Sequence, residues 1–188
     1  MASVLLFHHI QGLTDGVVAF ADDLRAAGHR VETPDLFEGR VFGSLEEGFG
    51  YAREVGLEAV RDRGRHAADA AAGPVVYAGF SFGVTIAQEL AQTRPAAGAL
   101  LLYSCMPVAE YSEAWPAGVP VQIHGKEGDE FFDEDLPAAR ELASAVADAE
   151  LFVYPGTQHL FADSSLPDFD PDAAGLMTER VLAFLARL

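Results

Sequence analysis

Several residue types are scarce in this chain. Its 188 residues include one cysteine, Cys105. No intrachain disulfide can form, and a reducing cytoplasm is the expected compartment. Positive charge is also scarce. Lys126 is the only lysine among 12 basic residues, against 29 acidic ones, for a net charge of −17. A field of that sign repels nucleic acid, anionic membranes and polyanions, and its ordinary use is solubility. No apolar run approaches the length of a membrane span. The opening MASVLLFHHI has neither a basic start nor a small-residue cleavage site, so it reads as a first strand rather than a signal peptide. No internal repeat or low-complexity linker divides the chain, and residues 1–188 are expected to form a single domain with a substantial core.

What is present alternates. Ser3 to His9 reads as an apolar strand. Asp15 to Ala27 reads as a helix with Thr14 as N-cap and Gly28 as its stop. Arg30 to Thr33 reads as a short strand. Ser44-Leu45-Glu46-Glu47 fits a capping box opening one long helix towards Ala72. Pro74 to Ala78 is a strand, and a helix from Phe82 ends before Pro95. Ala99 to Tyr103 and Val119 to His124 are further strands. Leu136 to Ala147 is helical, Leu151 to Tyr154 is a strand, and Asp170-Pro171 caps a last helix. Strands alternating with helices predict an α/β protein, a mostly parallel sheet covered on both faces. Sites in such sheets gather beyond the carboxyl ends of the strands.

Four loops at those ends carry reactive groups: His8-His9-Ile10-Gln11-Gly12, Gly79-Phe80-Ser81-Phe82-Gly83, Gly125-Lys126-Glu127-Gly128-Asp129 and Pro155-Gly156-Thr157-Gln158-His159. Gly-x-Ser-x-Gly between a strand and a helix fits a nucleophile elbow. The turn is sharp and strained, and side chains at the glycines would collide with neighbouring elements. It would hold the Ser81 hydroxyl above the sheet at a helix N-terminus, whose amides favour developing negative charge.

A serine hydroxyl needs a base, and the base needs an orienting acid. His159 follows the last strand, where a base belongs in this chain order. Asp129 is the preferred acid because Phe131-Phe132 follows closely and can shield it from water, with Glu127 as the alternative. The amide of Phe82 supplies one oxyanion donor, and the amide of Ile10 or Gln11 the other. His8-His9 lacks a spaced third ligand, so no metal is expected. No phosphate-binding glycine loop accompanies Lys126, so no nucleotide and no cofactor is expected.

Taken together, these residues resemble the dienelactone hydrolase family of α/β-hydrolases. The resemblance is carried by His9-Ile10-Gln11-Gly12, Pro34-Asp35-Leu36-Phe37, Gly79-Phe80-Ser81-Phe82-Gly83, His124-Gly125 through Asp129-Glu130-Phe131-Phe132, and His159-Leu160-Phe161-Ala162-Asp163. It implies a minimal α/β-hydrolase without a cap domain. It also implies Ser81, Asp129 and His159 as a triad, with the Ile10 and Phe82 amides as the oxyanion hole. Three positions depart from the founding enzymes of that family. Ser81 stands where they carry cysteine, His9 where they carry a glutamate that contacts the thiol, and Asp163 where they carry an arginine that holds the substrate carboxylate.

The resulting expectation is a serine-dependent hydrolase of small esters or lactones. Its pocket would be lined by Met106, Tyr111 and Trp115 together with Phe131 and Phe161. Asp163 would present a carboxylate at the pocket mouth near His9, and Arg40 could reach in with a positive charge. An acyltransferase or perhydrolase using the same acyl-enzyme, or a non-catalytic binding protein that keeps the fold, are the rival readings.

Overall fold

Six strands alternate with helices in a computed structural model that describes all 188 residues. In chain order these are β1 (Ser3–Phe7), α1 (Asp15–Ala26), β2 (Arg30–Glu32), α2 (Leu45–Val55), α3 (Leu57–Asp69), β3 (Val75–Phe80), α4 (Phe82–Thr93), β4 (Ala96–Leu102), β5 (Val121–Glu127), α5 (Glu130–Ala145), β6 (Ala149–Pro155) and α6 (Pro171–Leu185). Every neighbouring pair is parallel, in the order β2-β1-β3-β4-β5-β6. One row across the sheet runs Phe7, Gly79, Leu101, Ile123 and Leu151.

Side chains of β1 alternate between two cores, as the period of a strand requires. Leu5 and Phe7 join the core beneath α2 to α5. Val4 and Leu6 join the core beneath α1 and α6. A sheet apolar on both faces must be covered on both, and it is. The chain passes from β1 outward to β2 and then back past β1 to β3. The loops after β1 and β3 therefore meet at the topological switch point of the sheet, the place where sites in such folds gather. Residues 103–120, which join β4 to β5, hold only a 3-10 turn at Val108–Glu110. The fold is a minimal α/β-hydrolase with no separate cap domain. No helix is long and apolar enough to cross a membrane.

The long helix read from Ser44 towards Ala72 is two helices. Gly56 breaks it at φ 96°, a conformation open to glycine at little cost. Ser44 nonetheless caps α2 through the Glu47 amide, and Thr14 caps α1 through that of Val17. The helix read from Leu136 begins at Glu130 and carries Pro137 inside it, with Asp129 as its N-cap. The strand before it runs on to Glu127, so the loop that bears the expected acid shrinks to Gly128-Asp129.

Candidate active site

Ser81 joins β3 directly to α4. Its backbone sits at φ 48°, ψ −111°, a region costly for a residue with a side chain. The flanking glycines explain how so tight a corner packs. A Cβ on Gly79 would lie 2.3 Å from the Gly83 carbonyl, and one on Gly83 would lie 2.4 Å from the Phe7 carbonyl oxygen. The first turn of α4 thus abuts the end of β1, backbone against backbone. The Ser81 side chain is left half-buried, with no capping duty to its own helix.

Ser81 Oγ lies 2.7 Å from His159 Nε2, across 78 residues of sequence. His159 Nδ1 lies 2.6 Å from Asp129 Oδ2. Both His159 and Asp129 are buried. The second Asp129 oxygen, Oδ1, accepts from the Phe131 amide at 3.1 Å, which is its role as helix cap. Helix cap and partner of the imidazole are therefore one carboxylate, and the cap bond fixes which oxygen faces the ring. Glu127, the alternative acid, is exposed at the end of β5 and makes no hydrogen bond to His159. Phe131 is 40% exposed, with its ring 4.8 Å from that of His159.

The loop after β1 offers two amides, and the structure separates them. The Gln11 amide donates to His9 Nδ1 at 3.2 Å. The Ile10 amide has no acceptor within the protein, although Ile10 is fully buried. Buried unpaired amides are rare, and this one follows directly on the end of β1 that abuts the first turn of α4. The Phe82 amide sits at the first position of α4, where the helix itself offers an N–H no acceptor.

Several residues that hold this arrangement carry no motif. The Lys126 side chain is fully buried and donates to Gln158 and Asp170, tying the loop of His159 to the cap of α6. Tyr103, with its backbone at φ 74°, accepts the Ala162 amide at 3.0 Å and packs its ring 6.0 Å from that of His159. Burial pushes the Tyr103 phenol well above its ordinary pKa. Burial holds His8 down to about 4, so its ring is neutral. Its one ring N–H can only be on Nδ1, which faces the His9 carbonyl at 2.7 Å, while Nε2 accepts the Leu36 amide at 3.0 Å. Gln88 and Gln92 on α4 bind Met106 and Val108 of the β4–β5 connection through their backbones.

Other expected pocket residues sit elsewhere. Asp163 is not at a pocket mouth. It turns inward, 3% exposed, and accepts from His9 Nε2 at 2.8 Å, from the Thr14 hydroxyl, and from the Ser165 amide and hydroxyl. Burial opposes its ionisation, yet these hydrogen bonds outweigh burial and lower its pKa to about 2. His9 is likewise fully buried. Phe161 lies in the core, 4.8 Å from the Tyr103 ring and beneath the Lys126 ammonium. Trp115 closes its own loop, donating to the Val119 carbonyl at 2.7 Å. Arg40 is exposed and lies over the Tyr51 ring at 5.0 Å. A cleft of about 420 Å³ opens beside His159, walled by Leu45, Glu130, Phe131, Thr157 and Asp168. No lysine or arginine lines it, and Met106 does not reach it.

The dienelactone hydrolase family model matches residues 1–188. No curated protein sequence matches. Among solved structures, a dienelactone hydrolase-like promiscuous phosphotriesterase from metagenomic libraries is similar at TM-score 0.74 and 19% identity, covering 100% of this chain and 87% of its own. A dienelactone hydrolase from Anabaena variabilis is similar at TM-score 0.68 and 15% identity, covering 100% and 86%. The mouse alpha/beta hydrolase domain-containing protein 10 is similar at TM-score 0.67 and 13% identity, covering 98% and 90%. At such identities the likeness is one of fold.

Proposed function

The chain belongs to the dienelactone hydrolase family, and on that premise we propose that it is a serine hydrolase of small, uncharged carboxylic esters or lactones. The observation that carries this is the unbroken line Ser81–His159–Asp129, at 2.7 and 2.6 Å. Ser81 Oγ attacks the acyl carbon while its proton passes to His159 Nε2. Asp129 accepts the Nδ1–H and stabilises the imidazolium that forms. The tetrahedral oxygen carries the negative charge and takes hydrogen bonds from the Ile10 and Phe82 amides. The bond to the leaving oxygen then breaks, and His159 returns its proton there. Water repeats the sequence on the acyl-Ser81 ester and releases the acid.

The substrate class follows from charge. Asp163 occupies the position of the carboxylate-binding arginine in the resembled enzymes, and it is turned inward against His9. The cleft beside His159 presents Glu130 and Asp168 and no cation, so a substrate carboxylate would meet repulsion there. Water has ready access along a wall where Glu130, Phe131 and Asp168 are exposed, which favours hydrolysis over transfer to another acceptor. The test is a panel of neutral esters and lactones run beside Ser81→Ala. Turnover by the wild type that vanishes in the variant supports the proposal. Turnover that survives in Ser81→Ala, or none on any substrate, refutes it.

A further inference from the structure

We propose that His8 and His9 form a two-ring frame that positions the Ile10 amide as an oxyanion donor, with Asp163 as the frame's anchor; the inference rests on the hydrolase reading above. The peptide that carries the Ile10 N–H also carries the His9 carbonyl. In a trans peptide the two point in opposite directions. The His9 carbonyl accepts from His8 Nδ1 at 2.7 Å and from the Gly12 amide at 3.1 Å. Two donors on one carbonyl fix that plane and aim the Ile10 N–H the other way, where nothing in the protein accepts it.

The His9 ring governs the next peptide. The Gln11 amide is the competing donor at this turn, and His9 Nδ1 accepts it. An N–H can donate only into a lone pair, so Nδ1 is bare and the ring proton sits on Nε2, aimed at Asp163. Asp163 in turn accepts from Thr14 and Ser165. It stands four positions past His159, and its own amide donates to the Leu160 carbonyl at 3.0 Å. The frame therefore also links the loop of the oxyanion donor to the loop of the base. Neither ring touches the reacting atoms. Both are positioning residues.

Nitrogen-15 NMR of the wild-type imidazoles near pH 7.5 reads the frame directly. His8 should be the Nδ1–H tautomer and His9 the Nε2–H tautomer. Either ring in the opposite tautomer, or charged, overturns the proposal. Kinetics read its use. His8→Leu and His9→Leu should each lower kcat for a neutral activated ester by at least about tenfold, because losing one oxyanion donor outright costs about 10²–10³. KM should stay within about threefold, and affinity for a boronic acid that mimics the tetrahedral adduct should fall in step with kcat. His8→Asn keeps a donor near the Nδ1 position and should recover most of the loss. Equal losses in His8→Asn and His8→Leu, or unchanged boronate affinity, would mark the rings as merely structural. Full kcat in both leucine variants overturns this inference alone. A wild type without Ser81-dependent turnover overturns the hydrolase reading and this inference with it.

Discussion

Asp129→Asn changes one atom and should silence the base. The carboxylate has two tasks, each assigned to one oxygen. Oδ1 accepts the Phe131 amide at 3.1 Å, and Oδ2 faces His159 Nδ1 at 2.6 Å. Asparagine has one acceptor and one donor group. Turning the NH2 towards the Phe131 N–H would oppose two donors and uncap α5, a loss of about 1 kcal/mol. The side chain should therefore keep its oxygen on Phe131 and present its NH2 to His159. Nδ1 must then accept, and the ring proton moves to Nε2, where it faces Ser81 Oγ. A protonated Nε2 cannot take the serine proton. The analogous substitution in serine proteases lowers kcat about 10⁴-fold, which at about 1.36 kcal/mol per factor of ten is about 5 kcal/mol of barrier. The expected result is a loss of that order in kcat for an activated ester, with thermal stability nearly unchanged because the cap survives. Glu127→Gln, at an exposed strand end, should stay within about twofold of the wild type. An Asp129→Asn variant within tenfold of wild type, or a severe loss in Glu127→Gln, would refute the reasoning.

Three further outcomes follow from the same geometry. Burial lowers the pKa of His8 to about 4 and of His124 to about 3. The unfolded chain binds protons at both below about pH 6.5 while the folded chain does not, so stability should fall by about 2 kcal/mol per histidine between pH 7 and pH 5. Urea unfolding at the two pH values measures this, His124→Gln should remove about half of the fall, and equal stability at both values contradicts it. Gly83→Ala places a Cβ 2.4 Å from the Phe7 carbonyl oxygen. It should destabilise by about 1–3 kcal/mol or more and lower kcat, whereas Gly50→Ala, which meets nothing within 4 Å, should be neutral or stabilising by up to about 1 kcal/mol in thermal unfolding. Glu130 and Asp168 should make a neutral ester better than its carboxylate-bearing analogue by about tenfold in kcat/KM, since like charges at about 5 Å repel by about 1 kcal/mol even in water. The double variant Glu130→Gln with Asp168→Asn should narrow that gap, and an unchanged gap contradicts the assignment.

What is legible in the sequence is what is local. The strand-to-helix corner at Ser81 is written within five residues, because its glycines answer to a backbone clash that any such corner creates. The caps at Thr14, Ser44 and Asp170 are side chains bonding amides three residues on. The parallel sheet follows from alternation. What is not legible depends on distant partners. The inward turn of Asp163 is set by His9, 154 positions away. Periodicity cannot foresee that a carboxylate just past the base will find an imidazole there. The choice between the Ile10 and Gln11 amides rests on the same ring. The sequence around Lys126 excludes a phosphate loop but does not foretell its burial under Asp170 and Gln158. Nothing local marks Gln88 and Gln92 on α4, yet both are buried against the β4–β5 connection. Gly56 alone signals the break between α2 and α3, and a capping box followed by good helix formers outweighs one glycine when read without its φ.

The central claim is that Ser81 is a nucleophile activated by His159. Intact-protein mass spectrometry after a fluorophosphonate treatment tests it most directly. The account predicts a single adduct, mapped to Ser81 by peptide sequencing. His159→Ala should slow its formation by at least about 10³-fold, since the residues of such a unit fail together, and Ser81→Ala should show none. Unmodified wild-type protein, an adduct on another residue, or labelling of His159→Ala at the wild-type rate would contradict it.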